Sequence, residues 1–225
     1  MRKLHHWALD PFSRCIRFAL HEKKLAFETS SAPPWASDTE ARKLNPIGGA
    51  PVLEEDAPEG RFILAEPRAI LEYLDEAYPD HKLLPTDRIE RTETRWVMGW
   101  LERGFDQDVN QTLLHERVMQ RCLRAGTPNS AAMRKGAAAL RGYLRHIDAM
   151  TGVRPYLAGE NFSYADICAA AHLSCLDYFG DVPWSQFVMA QDWYIRMKSR
   201  IAFRPMLLDR LQGVAPARHY AELDA

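Results

Sequence analysis

Cysteine is scarce in this chain and never clustered. Cys15, Cys122, Cys168 and Cys175 are scattered over 225 residues with no CxxC spacing. Reduced thiols fit that pattern better than a disulfide framework. Cys168 and Cys175, seven apart, read as small buried hydrophobes sharing a helix face. An excess of either charge is also missing. Lys and Arg total 29 against 30 Asp and Glu, so no net field favours nucleic acid and no basic block marks an anionic membrane surface. No segment approaches the roughly 20 apolar residues that span a bilayer, so no membrane insertion is expected. The mixed run from Leu4 to Leu9 is too short for a signal peptide, which makes a cytoplasmic protein the expectation. Repeats and low-complexity tracts are absent too.

What is present falls into two parts. The first alternates short extended and helical runs: a strand at Lys3–Trp7, a helix at Phe12–Lys23 with Ile16, Ala19 and Leu20 in a stripe, a strand at Leu25–Thr29 and a short helix at Thr39–Leu44. Strands at Pro51–Leu53 and Phe62–Leu64 follow, then a helix at Pro67–Tyr78 with Ile70, Leu71 and Leu74 on one side. That β-α-β-α-β-β-α order is the pattern of an α/β thioredoxin-like domain over residues 1–78. Residues 79–87, with Pro79 and Pro85, read as a linker. From 88 to 225 strand signals nearly vanish, so an all-α domain is expected. Its helices run from Arg88 to about Met119, bending near Gly104, and from Ala131 to Met150. Ser163 and Asp166 form a reciprocal cap before the apolar run Ile167–Leu173, with Phe162 and Ile167 as flanking staple.

Several residues invite a chemical reading. His5 and His6 are adjacent on a strand, so they face opposite ways and cannot easily share a metal ion; one is expected to be half-buried, the other to face the domain groove. His172 lies three residues before Cys175, but no further ligands cluster nearby, so no metal site is expected. Pro33-Pro34-Trp35 lifts a tryptophan onto a proline-stiffened loop, where it either anchors a partner or folds back on its own domain. The tail from Val214 to Ala225 lacks helical period and is either frayed or, through Tyr220 and Leu223, engaged.

Three segments together carry a resemblance. Asp10-Pro11-Phe12-Ser13-Arg14-Cys15-Ile16-Arg17, Gly49-Ala50-Pro51-Val52-Leu53 and the run from Leu64 through Glu66-Pro67 to Leu74 resemble the glutathione-site scaffold of the cytosolic glutathione transferase superfamily. The resemblance implies the two-domain transferase fold, a homodimer, a cis bond between Ala50 and Pro51, and glutathione-site positions at Asp10, Ala50, Pro51, Glu66 and Pro67. Two chemical groups of that site are missing. An ionised Asp10 stands where a hydroxyl or thiol would act, and it accepts rather than donates. Pro67 stands where a serine would offer a hydroxyl and an N–H to the γ-glutamyl carboxylate, and proline has neither. If the chain is an enzyme, Ser13 is the candidate catalytic donor, with glutathione as cosubstrate; otherwise Ser13 caps the helix or is exposed, and no cofactor is expected.

The His-His…Leu-Asp-Pro-Phe-Ser-Arg opening, the run from His172 to Trp184, Asp192-Trp193-Tyr194, Phe203-Arg204-Pro205 and the closing His219-Tyr220-Ala-Glu222-Leu-Asp224 are similar to the FtsZ-localized protein A group. These are transferase-fold proteins that bind the tubulin-like division protein FtsZ and influence filament curvature. This second resemblance implies a non-enzymatic FtsZ-binding regulator of cell division, located at the division site. It places Trp35, Tyr220 and Asp224 on the partner-binding surface, with a glutathione transferase acting on small electrophiles as the alternative.

Overall fold

The computed structural model describes residues 1–45, 48–58, 60–122 and 126–223. Two compact units meet in sequence at Leu84 and Pro85, within the expected linker. The first unit runs β1 (Arg2–His6), α1 (Pro11–Glu22), β2 (Glu28–Ser31), α2 (Glu40–Leu44), β3 (Val52–Ala57), β4 (Gly60–Ala65) and α3 (Pro67–Ala77). The sheet order is β2-β1-β3-β4, with β1 and β2 parallel and the other pairs antiparallel.

All four strands differ from the expected bounds, two of them for identifiable reasons. β2 begins at Glu28 rather than Leu25 because the amides of Lys23, Lys24 and Leu25 bond back to carbonyls of α1. β3 continues to Ala57 through Glu54, Glu55 and Asp56, residues that disfavour strands on their own. Pairing with β1 and β4 on its two sides holds it. Its carboxylates are met by side-chain partners: Glu54 by His5 Nε2 at 2.6 Å and by the Arg61 guanidinium, and Glu55 by that of Arg2 at 2.9 Å. These bonds, from His5 first and then Arg61, hold the Glu54 carboxyl below the usual carboxylate range. Leu4, Ile16, Phe18, Leu20, Leu53, Ile70 and Leu74 fill the core without exposure. The start of the linker is anchored rather than loose. Asp75 accepts from the amides of Leu83 and Leu84 at 2.8 and 2.9 Å, and Lys23 Nζ lies 2.8 Å from the same carboxylate.

The second unit is helical. One continuous helical path comprises α4 (Arg88–Gly99), a π-type stretch at Trp100–Leu114 and α5 (His115–Cys122). Around Gly104, where a bend was expected, the path is π-type, with wider hydrogen bonding. α6 (Ser130–Thr151) lies close against it, because a Cβ on Gly136 would come within 2.8 Å of the Leu113 amide nitrogen. α7 (Tyr164–Tyr178) is buried along its whole length and starts at the expected Ser163–Asp166 capping box. Cys168 and Cys175 on it are buried and form no disulfide. α8 (Val188–Ser199) and α9 (Arg204–Leu207) complete the unit. Among the described residues no helix is long and apolar enough to cross a membrane.

The tail is docked through Tyr220. Tyr178 accepts from the Ala217 amide at 2.8 Å and donates its hydroxyl to the Val214 carbonyl at 2.6 Å, and Tyr220 donates its own to the Met206 carbonyl at 3.0 Å. His219 Nε2 lies 2.9 Å from Asp177 Oδ1, a bond that raises the imidazole pKa. A raised histidine pKa stabilises docking fully below the unfolded value of about 6.5, and that contribution is lost as pH rises through the folded value. Amide exchange at Ala217 and Tyr220, corrected for intrinsic rate, should therefore accelerate as pH is raised through neutrality. His219→Gln should flatten the response; an unchanged pH profile in that variant would assign it to another group.

Candidate functional site

Strand register brings four segments to one end of the sheet. β1 ends at His6, level with Ser31 at the end of parallel β2. His5 pairs with Val52 at the start of β3, and Val52 pairs with Ala65 at the end of β4. The segments 7–10, 32–35, 50–51 and 66–67 therefore all open at that end. Asp10, Ser13, Trp35, Ala50, Pro51, Glu66 and Pro67, far apart in sequence, belong to this one region.

Asp10 caps α1, its Oδ2 accepting from the Ser13 amide at 2.7 Å. The expectation that Ser13 caps the helix or is exposed is corrected. Ser13 is wholly buried, and its Oγ accepts from the Trp7 amide at 3.3 Å, because the loop folds back over the first helical turn. A hydroxyl so enclosed is badly placed to meet a substrate thiolate. The Ala50–Pro51 bond is cis, as the resemblance implied. Glu66 caps α3 with φ 79°, accepting from the Ala69 amide at 2.9 Å. A non-glycine residue at positive φ costs on the order of 1–3 kcal/mol and persists where its surroundings fix it; here β4 ends on one side and Pro67 starts a helix on the other. Helix N-termini bind carboxylates through their first amides. Pro67 has no such amide, and Ala69 spends its own on Glu66. The helix end is poorly furnished for a γ-glutamyl carboxylate.

Trp35 has a built setting. Its ring stands edge-on to Trp7, centroids 5.1 Å apart, with 39% of the residue exposed. Arg42 from α2 holds the loop, donating Nε to the Ala36 carbonyl at 3.1 Å and Nη2 to the Pro34 carbonyl at 2.9 Å. The tryptophan folds against its own unit, as one reading had it, and still presents a face to solvent. Trp7 and Arg42 were missed by sequence reasoning, and nothing in the local pattern marks Arg42 as the loop's support.

Tyr220 is corrected. It is fully buried, its ring 5.1 Å from that of Tyr178, so it anchors the tail and does not form a binding surface. Asp224 lies outside the described residues. His6 is half-buried, as one of the pair was expected to be, whereas His5, expected to face a groove, is buried. His172 is wholly buried with Nδ1 2.8 Å from Asn110 Nδ2, and burial pushes its pKa down to about 4. Among the described residues no group of three or more His, Cys, Asp or Glu could hold a metal ion.

A thioredoxin-like unit with a cis-proline before β3, an acidic cap on α3 and a following all-helical unit define a chain of the glutathione transferase architecture. Family models agree: the glutathione S-transferase N-terminal domain matches residues 4–82 and the C-terminal domain residues 115–200. FtsZ-localized protein A of Caulobacter vibrioides is 48% identical over 223 residues, spanning 99% of this chain and 98% of that protein. The solved structure of FzlA from C. crescentus superposes with a TM-score of 0.96 at 47% identity, covering 100% of this chain and 99% of that one. A structure titled glutathione S-transferase from Rhodospirillum rubrum F11 gives 0.94 at 39% identity over the whole of both chains. The chain belongs to the glutathione S-transferase superfamily, in the group of FtsZ-localized protein A.

Proposed function

We propose that this protein is a non-enzymatic, FtsZ-binding regulator of cell division that works as a homodimer at the division site. The observation that carries the reading is the 48% identity to FtsZ-localized protein A across nearly the whole of both chains. Two features of the sheet end support it: the missing Pro67 amide and the enclosed Ser13 hydroxyl weaken the case for thiolate chemistry. Trp35 supplies a rigid, half-exposed aromatic of the kind that dominates protein interfaces, and Asp224 remains the second candidate contact. A second copy would cover the apolar face of the helical unit where Ile89, Trp96 and Val153 are 69%, 59% and 84% exposed. A cavity of about 430 Å³ lined by Trp96, Trp100, His146 and Met150 adjoins it. Dimerisation doubles the binding face, so one regulator can engage neighbouring filament subunits through effective concentration.

The test is co-sedimentation with GTP-assembled FtsZ filaments. Saturable recovery in the pellet, unchanged by glutathione, is expected; a chain that stays in the supernatant would remove the proposal.

The 39% identity to a structure titled glutathione S-transferase gives a second reading, conjugation of glutathione to small electrophiles. Calorimetric titration with reduced glutathione separates the two. No saturable heat is expected even at millimolar ligand, since losing donors to a buried carboxylate costs about 1–3 kcal/mol each. Tight saturable binding would put the transferase reading first.

A further inference from the structure

Charge is balanced over the chain but not along the run from residue 196 to residue 218. Between residues 196 and 218 stand six cationic side chains and a single carboxylate, Asp209. Lys198 is buried, whereas Arg196, Arg204, Arg210 and Arg218 are exposed. Arg196 donates to the Pro155 carbonyl, Arg204 to that of Ser199, and Arg210 to those of Leu207 and Asp209. The carbonyls that accept these bonds are neutral and do not themselves cancel the guanidinium charge.

Two of the most exposed aliphatic side chains of the protein lie among them. Ile201 is 82% exposed and Leu208 75%. The amides of Phe203 and Arg204 bond to the Arg200 carbonyl, and those of Leu208 and Asp209 to Pro205 and Met206. Residues 200–209 thus wind as two helical turns around α9. Ala202, Phe203, Met206 and Leu207 point inward and are buried. Positions 201, 204 and 208 share the opposite side at the i, i+3, i+7 spacing of one helix face. The solvent face is therefore an aliphatic–arginine–aliphatic stripe, Ile201, Arg204 and Leu208, with exposed Arg210 two residues on.

We propose that this face docks an acidic segment of a partner protein, whose own apolar residues cover Ile201 and Leu208 while its carboxylates meet Arg204 and Arg210. Charge complementarity selects the occupant: the exposed charges at the stripe, Arg204 and Arg210, are guanidiniums, whose forks recognise carboxylates with two parallel bonds. Two aliphatic anchors on two turns match a short helical peptide laid in register. They offer too little apolar area to hold the chain at a lipid interface, where binding scales with buried apolar surface. The surface lies in the helical unit and carries none of the sheet-end residues, so it stands or falls apart from the Trp35 surface.

Fluorescence anisotropy of the full chain with a labelled helical peptide tests it, the peptide bearing a leucine stripe flanked by glutamates. Saturable binding that weakens with added salt is expected. Ile201→Asp or Leu208→Asp should reduce affinity about ten-fold or more. Both residues are exposed, so circular dichroism should show the fold intact. Arg204→Glu should lose the glutamate peptide and gain affinity for its lysine counterpart. Absence of saturable binding, or binding unchanged by all three substitutions, would overturn the proposal. So would co-sedimentation with phosphatidylcholine vesicles containing phosphatidylserine that the same substitutions abolish, which would assign the face to a membrane.

Discussion

Asp166→Ala is expected to destabilise the helical unit by about 3–5 kcal/mol, enough to unfold a marginal domain. The carboxylate is wholly buried at the first turn of α7. It accepts from the Leu157 amide at 3.0 Å, the Ser163 amide at 3.1 Å, the Ser163 hydroxyl at 3.3 Å and Trp193 Nε1 at 2.9 Å. Alanine would orphan donors from the preceding loop, the helix cap and α8 at once, and each buried unpaired donor costs about 1–3 kcal/mol. Burial pushes the carboxyl pKa up to about 6 against the pull of these bonds. An acid whose folded pKa is raised above its ordinary 3.8 stabilises the fold fully below that value, and the contribution is lost as pH rises through about 6. Asp166→Asn keeps the shape and one acceptor oxygen but sets an NH₂ group against other donors. It should fall between wild type and alanine and lose this part of the pH dependence. Urea denaturation at several pH values measures both effects; an alanine variant within about 0.5 kcal/mol of wild type would contradict the account.

Trp35→Ala should weaken co-sedimentation with FtsZ filaments about ten-fold or more while leaving stability nearly unchanged. Interface tryptophans held rigid before binding contribute on the order of 2 kcal/mol or more, and Trp35, on the proposed function, would act as one: it is held twice, by the Trp7 ring and by the two Arg42 bonds to its loop. Its exposure limits the folding cost to part of the Trp7 contact. Arg42→Ala separates contact from preorganisation. It leaves the indole in place and frees the loop carbonyls, so affinity should fall by less than with alanine at Trp35, through the entropy of ordering the loop. Filament binding equal to wild type in the tryptophan variant would remove the sheet end from the interface.

Much of the architecture was legible because local rules and tertiary structure agree. The Ser163–Asp166 box is satisfied within one helical turn, so spacing alone reveals it. The β-α-β-α-β-β-α order follows from hydrophobic period, and only element ends moved. The acidic half of β3 was not legible, since Glu54 and Glu55 read as loop until His5, Arg61 and Arg2 arrive from neighbouring strands. The tail shows the same limit. Tyr220 in a period-free, proline-containing segment reads as a surface residue, and it is buried only because Tyr178 and the Met206 carbonyl wait for it.

By itself the sequence determined the two-unit division, the order of elements, the capping of α7 and the loss of donors at Pro67, because each depends on neighbours within a few residues. Tertiary structure alone decided that Ser13 is enclosed, that Tyr220 is an anchor, that Arg42 braces the Trp35 loop and that Ile201 and Leu208 face water. Those outcomes depend on contacts and burial across chain separations over which no residue pattern persists, and only the closed fold fixes them.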